Sequence, residues 1–265
     1  MNLDSLSDLK GVATNTHFAI FVLPKKYGLS EARAALASKN TVFIEPKVHN
    51  QQKTATVNVD DILELERITR TKQQNRLGIV VVGTEKMGEQ AQNKFLKLLE
   101  EPGSNIHFSF VTEDASNLLD TVLSRGQVYH IRKISKAASQ ALAKELLPDI
   151  SAQALQQTMF LAAGLPGEIR KLATDQTYMS NQIKLVGLAK TLLTDRDLEV
   201  VKVAYGLKDD RAQALQVLDL AITIAKEALR KNPSLVGKLS ELEQAYGQIA
   251  ANGNIRLGLV GNLLV

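Results

Sequence analysis

Residues 77–112 read LGIVVVGTEKMGEQAQNKFLKLLEEPGSNIHFSFVT, and this stretch decides the fold class. Its two ends, 77–82 and 107–112, are short runs apolar on both faces, as parallel strands covered by helices must be. Between them Met87, Ala91, Phe95 and Leu98 recur at spacings of 4, 4 and 3, which predicts an amphipathic helix over 87–99. Glu100-Glu101-Pro102 reads as its end, because proline removes a backbone donor and clashes with the preceding turn.

The same alternation continues outward. Residues 17–22 (HFAIFV), 41–44 (TVFI) and 127–131 (QVYHI) read as further strands, and 59–71 as a helix with Asn58 as its cap. Residues 50–56 (NQQKTAT) read as a polar loop. Strands alternating with helices predict a parallel α/β sheet. After about Ser135 the strand signal stops. Residues 135–147, 151–163 and 167–174 read as short helices broken by Pro148 and by Gly164-Leu165-Pro166. Two seams follow, Leu215, Leu218, Ile222, Ala225, Leu229 and Leu235, Leu239, Leu242, Tyr246, Ile249, with a last helix after Asn254. Such seams predict a helical bundle, or a bundle that packs against copies or neighbours, with the stripes read as core by default.

Composition narrows the function classes. A chain of 265 residues, 45% hydrophobic and 23% charged, is long enough for two or three compact domains and is not disordered throughout. Absence of cysteine removes disulfides, thiol nucleophiles and cysteine metal sites, and fits a reducing cytosol. With four widely spaced histidines, no metal site is expected. No apolar run of membrane-spanning length occurs, and MNLDSLSDLK lacks the pattern of a secretory signal, so the expected location is cytoplasmic with no membrane partner. Residues 1–135 hold 17 Lys/Arg against 15 Asp/Glu and residues 136–265 hold 15 against 13, so the net charge of +4 is evenly spread. That excess permits a nucleic-acid partner without demanding one.

A first strand followed by a turn and helix invites a phosphate loop, Gly-x4-Gly-Lys-Ser/Thr, whose amides cradle phosphates while the Lys neutralises them. Here Leu23-Pro-Lys-Lys-Tyr-Gly28-Leu29-Ser30 has that spacing, but Leu23 replaces the first glycine and Leu29 the lysine. A strand–turn–helix with a chance Gly28 and Ser30 has the same spacing. The acidic residue that holds Mg²⁺ after a second strand is also missing, since residues 79–82 run into Gly83-Thr84, with Glu85 and Glu89 lying beyond. Two independent losses argue against hydrolysis by this chain.

Residues 90–127, with Ala91-Gln92-Asn93, Lys97-Leu98-Leu99-Glu100-Glu101-Pro102, the strand to Thr112 and Thr121-Val122-Leu123-Ser124-Arg125-Gly126, closely resemble the bacterial clamp-loader family of DNA polymerase III, the gamma/tau and delta-prime subunits. Weaker echoes are His17 to Pro24, residues 167–172 (GEIRKL) and residues 252–264 (NGNIRLGLVGNLL). Gly126 stands where the family has Cys, the family's cysteine zinc module is absent, and the segment before the first strand is short.

The resemblance implies an AAA+ type parallel α/β core (1–135), a small helical lid (136–178) and a C-terminal helical collar domain (179–265). It implies that Arg125, beside Ser124, reaches a neighbouring subunit's ATP as an arginine finger; the alternative is a surface salt bridge. It places Thr112 and Arg170 at the family's sensing positions, structural here given the degenerate loop. Lys94 and Lys97 sit on a helix that can approach DNA phosphates, against a plain solvated face, and Lys25-Lys26 could draw an anion to the loop. The expected function is a delta-prime-like subunit without catalysis or nucleotide of its own, the ATP being bound by a neighbour. The implied partners are gamma/tau, delta, a sliding clamp and primed DNA. The alternatives are an AAA+ ATPase with a variant site, against which Leu29 and Gly83 speak, and an interaction scaffold, against which Ser124-Arg125 speaks.

Overall fold

The computed structural model describes residues 1–3, 7–49, 54–70, 75–100, 103, 105–193, 197–229 and 232–263. Residues 50–53 of the expected loop, Thr71, Glu101, Pro102 and Leu264 lie outside them. Among the described residues six strands form one sheet: β1 (Asn2–Leu3), β2 (Phe18–Val22), β3 (Thr41–Ile44), β4 (Leu77–Val82), β5 (Ile106–Thr112) and β6 (Gln127–Ile131). Their order is β1-β6-β2-β5-β4-β3, and every pair is parallel. The five strands read from the sequence lie where their apolar runs put them. The unexpected β1 is too short to show a period; it extends the sheet where the Met1 carbonyl accepts from His130 N at 2.8 Å.

Helices cover both faces, which is why β2 and β4 are apolar on both sides. On one face Phe18, Ile20, Ile79, Val81, Phe108 and Phe110 meet α3 (Val59–Arg70) and α4 (Glu89–Glu100). There the Phe95 ring of α4 lies 4.6 Å from that of Phe110 and 5.3 Å from that of Phe108. On the other face Ala19, Phe21, Val80, Val82 and Val111 meet Leu9 of α1 (Ser7–Asn15) and Ala32 and Leu36 of α2 (Leu29–Leu36). The Asn58 cap forms as expected: its Oδ1 accepts from Asp60 N and Asp61 N at 3.1 and 3.2 Å, and Asp61 accepts from Asn58 N at 2.9 Å. The stripe of α4 is buried as read, but the helix starts at Glu89. Met87 lies before it in extended backbone, bridged to Val57.

A short α5 (Asp120–Leu123) precedes β6, and three helices follow the sheet: α6 (Lys136–Leu146), α7 (Ala152–Ala162) and α8 (Pro166–Thr174). The Ser135 and Ser151 hydroxyls accept the Ala138 and Ala154 amides, each at 3.2 Å, and so start α6 and α7. Proline opens α8, where its missing donor costs nothing.

The chain divides into two compact units, Met1–Thr174 and Asp175–Val265. The second begins with Asp175, whose side chain accepts from Tyr178 N at 2.8 Å, a few residues before the boundary expected at 179. It holds α9 (Gln176–Thr191), α10 (Asp197–Gly206), α11 (Arg211–Leu229), α12 (Val236–Ala250) and α13 (Ile255–Leu263). The seams need correction. On α11 the buried line is Ala214, Val217, Leu218, Ala221 and Ala225, with Leu215 and Ile222 at its margin. On α12 Leu242, Ala245 and Ile249 are buried, whereas Tyr246 is 37% exposed. Small alanines let these helices approach closely, and the larger residues beside them fill the edges. The NGN of residues 252–254 is a helix-to-helix turn: Asn252 is left-handed, a Cβ on Gly253 would lie 2.5 Å from the Gln248 carbonyl, and Asn254 accepts from Leu257 N at 3.0 Å.

Candidate functional site

In this strand order β2 lies between β5 and β6; the chain leaves β2 toward β3 at one edge, but leaves β5 in the opposite direction, toward β6 on the other side of β2. The crevice at the carboxyl ends of β2, β4 and β5 is therefore where such sheets bind ligands. Leu23, Gly28, Leu29 and Ser30 follow β2 there, Gly83 and Glu85 follow β4, Thr112 ends β5, and Arg170 of α8 pairs with Glu31 of α2.

Leu23 continues the sheet, donating its amide to the Thr112 carbonyl at 2.8 Å, and its side chain is 2% exposed in the core. A turn from Pro24 to Tyr27 follows, with Lys26 left-handed and Lys25 and Lys26 exposed. Gly28, at φ 102, caps α2; its amide points to Glu113 Oε1 at 3.4 Å. The opening of α8 closes on this loop. Gly167 N donates to the Tyr27 carbonyl at 2.7 Å, and a Cβ on Gly167 would stand 2.8 Å from Gly28 Cα. Both residues must be glycine for the backbones to meet.

Leu29 and Gly83, distant in sequence, share one place. A Cβ on Gly83 would lie 3.4 Å from Leu29 Cδ1 and 3.1 Å from Pro46 Cγ. Neither position offers a charged side chain there. Ser30 is exposed on α2. Glu85 does come back to the crevice: the Thr112 hydroxyl, fully buried, lies 2.8 Å from Glu85 Oε2 and 2.9 Å from the Asp114 carbonyl. With one proton it donates to one of them at a time. Arg170 is ion-paired across the crevice. Its Nε and Nη2 hold the two carboxylate oxygens of Glu31 at 2.7 and 3.4 Å, and this pairing raises the guanidinium pKa above its ordinary value. Tyr27 is fully buried, and burial, aided by the Glu31 charge, pushes its phenol up to about 12. Its hydroxyl and that of Thr84 are buried without partners.

Arg125 lies elsewhere, beyond the single turn of α5. Its Nη1 donates to the Thr121 carbonyl at 3.1 Å and its Nη2 to Glu100 Oε1 at 3.2 Å, with 43% of its side chain exposed. Ser124 ends α5, its hydroxyl 3.2 Å from the same Thr121 carbonyl. The Cys-to-Gly difference at 126 has a packing cause: a Cβ there would come within 2.5 Å of Ile20 Cδ1 and 2.9 Å of Phe18 Cε1. One residue that sequence reasoning passed over anchors this region. Gln92, 2% exposed, donates to the Met87 and Asn117 carbonyls at 3.0 and 2.9 Å and accepts from Leu119 N at 2.8 Å. It ties the turn before α4 to the entry of α5, and only a polar residue inside the apolar stripe of α4 hinted at it. Lys94 is paired with Glu66 at 2.6 Å, which holds that carboxyl below its ordinary value, while Lys97 is exposed.

The six-stranded parallel sheet carries helices on both faces. A DNA polymerase III gamma subunit-related protein from Thermotoga maritima shares the fold over 98% of both chains, at a TM-score of 0.50 and 20% identity. Residues 30–135 match the family described as DNA polymerase III, delta subunit. A DNA polymerase III subunit delta-prime from Haemophilus influenzae is 36% identical over 77 residues, 28% of this chain and 24% of that protein, so the match spans about a quarter of the relative's length. The chain is therefore similar to the bacterial DNA polymerase III clamp-loader family, as residues 90–127 indicated.

ATP is the group that the resemblance of residues 90–127 implies. At the crevice a core leucine begins the loop, Leu29 offers no charge, Arg170 pairs with Glu31, and the Gly167 backbone lies against Gly28.

Proposed function

We propose that this chain is a delta-prime-type clamp-loader subunit that hydrolyses no ATP itself and supplies Arg125 in trans to the ATP of a gamma/tau neighbour. In this reading residues 1–135 are the core, 136–178 the lid and 179–265 the collar domain. The assembly, completed by delta, opens a sliding clamp and places it on primed DNA. The observation that carries the reading is Arg125 itself: it lies in the segment matched to the family, half-exposed, on a base fixed by Gln92. A guanidinium keeps its charge and presents a planar fork to phosphoryl oxygens. The uncharged Leu29 and Gly83, whose positions lie close together, support the absence of hydrolysis in cis. Exposed Leu198, Tyr205 and Leu257 on the last unit support a collar contact.

One observation favours a second reading, a scaffold without a finger: Arg125 is engaged by Glu100 and Thr121 of its own chain. The test of the proposal is native mass spectrometry of the chain mixed with gamma/tau and delta from the same cell. A stable complex containing all three, with no ATP turnover by the isolated chain, is the expected result. Turnover that follows the isolated protein through gel filtration, or failure to join the complex, contradicts it.

A further inference from the structure

We propose that Glu100 is the positioning residue of Arg125, holding its guanidinium folded back on its own chain until a neighbour's phosphate displaces the carboxylate; this rests on the finger reading above. Arg125 Nη1 reaches back one turn to the Thr121 carbonyl at 3.1 Å, and Nη2 meets Glu100 Oε1 at 3.2 Å. The two acceptors lie on different elements, the turn of α5 and the last residue of α4. A side chain held by both is retracted, because a reach across a subunit boundary needs the arginine extended. The carboxylate and a phosphoryl group compete for the same planar donors. Glu100 and Arg125 are 57% and 43% exposed, so the hold is weak enough for a more highly charged anion to break.

The experiment has two arms. In the isolated full chain, ¹⁵N NMR of the Arg125 guanidinium reads its Nη rotation in wild type and Glu100→Gln. Restricted rotation in wild type, freed in the variant, is expected; equal rotation in both overturns the hold. In the complex with gamma/tau and delta, ATP turnover is measured against ATP concentration for wild type, Glu100→Gln, Glu100→Asp, Arg125→Ala and the double variant Glu100→Gln/Arg125→Ala. Half-saturation should fall about two- to five-fold in Glu100→Gln at unchanged kcat, the range an exposed ion pair commands. Glu100→Asp should restore the wild-type value, and the effect should vanish in the double variant. An unchanged half-saturation, or the same shift in the Arg125→Ala background, overturns the proposal. If Arg125→Ala alone turns over like wild type, the finger reading fails and this inference with it, which the NMR arm distinguishes from a mere absence of the ion pair.

Discussion

Tyr27 and Gly126 show how much single side chains decide. The Tyr27 hydroxyl is buried without a partner, so Tyr27→Phe removes an unsatisfied group and should be neutral or stabilising by up to about 1 kcal/mol. Its phenol has a folded pKa of about 12, raised from 10.0. The stability it contributes is therefore complete below pH 10 and lost as pH rises towards 12. Denaturant titrations across that window should show the loss in wild type and a smaller one in Tyr27→Phe; equal losses would contradict the burial account. Gly126→Ala forces a methyl into Ile20 and Phe18 and should cost about 1–3 kcal/mol. Ile20→Val withdraws the nearest methyl and should return part of that. If Gly126→Ala leaves the denaturation midpoint unmoved, the packing reason for this glycine is wrong.

Helix α8 is the element whose docking matters most to the crevice. Gly167→Ala would push a Cβ into Gly28 Cα and the Tyr27 carbonyl oxygen, each 2.8 Å from the added atom. Backbone cannot yield as a side-chain tip does, so α8 should lift from the loop, and amide exchange over 166–174 should accelerate more than tenfold. Exchange at the wild-type rate would show that the contact is not needed. Leu29→Lys by itself should not create ATP binding measurable by calorimetry, because the Gly28–Gly167 contact and the Leu23 side chain remain. Micromolar binding by that variant would mean that the loop lacks only its lysine. At this scale the sequence was a good guide where a period could be counted. The strands, α3, α4 and the helices around Ser135 and Ser151 follow from apolar spacing and caps. It was poor where tertiary contact decides: α1 has weak periodicity, β1 is two residues long, and Tyr246 follows the seam yet faces outward. That Leu23 and Leu29 depart from the phosphate-loop pattern is plain from the residues themselves. That Leu29 and Gly83 lie close together, that Arg170 is tied to Glu31 and that Gln92 anchors α5 depend on chain folding that no local pattern records.

For the whole molecule, charge and architecture separate what the chain does alone from what it does in company. The net charge of +4 is evenly spread and aromatics are only 5% of residues, so nothing in composition favours a stacking groove for bases. The isolated chain should bind primer–template DNA weakly and with steep salt dependence; tight binding at physiological salt would contradict this. Among the described residues no helix is long and apolar enough to cross a membrane, and no cluster of His, Asp and Glu could hold a metal ion. Function on this account lies at a subunit boundary, where a trans cation meets the charge that develops on a transferring phosphoryl group. The most direct measurement is the clamp-stimulated ATP turnover of reconstituted complexes that differ only at Arg125. Arg125→Ala should fold and assemble, since one exposed side chain carries little buried area, and turnover should fall without vanishing while neighbouring sites keep their own fingers. Arg125→Lys should restore it only in part, because an ammonium keeps the charge but not the fork. If Arg125→Ala assembles and turns over ATP at the wild-type rate, Arg125 is no finger and the scaffold reading takes its place.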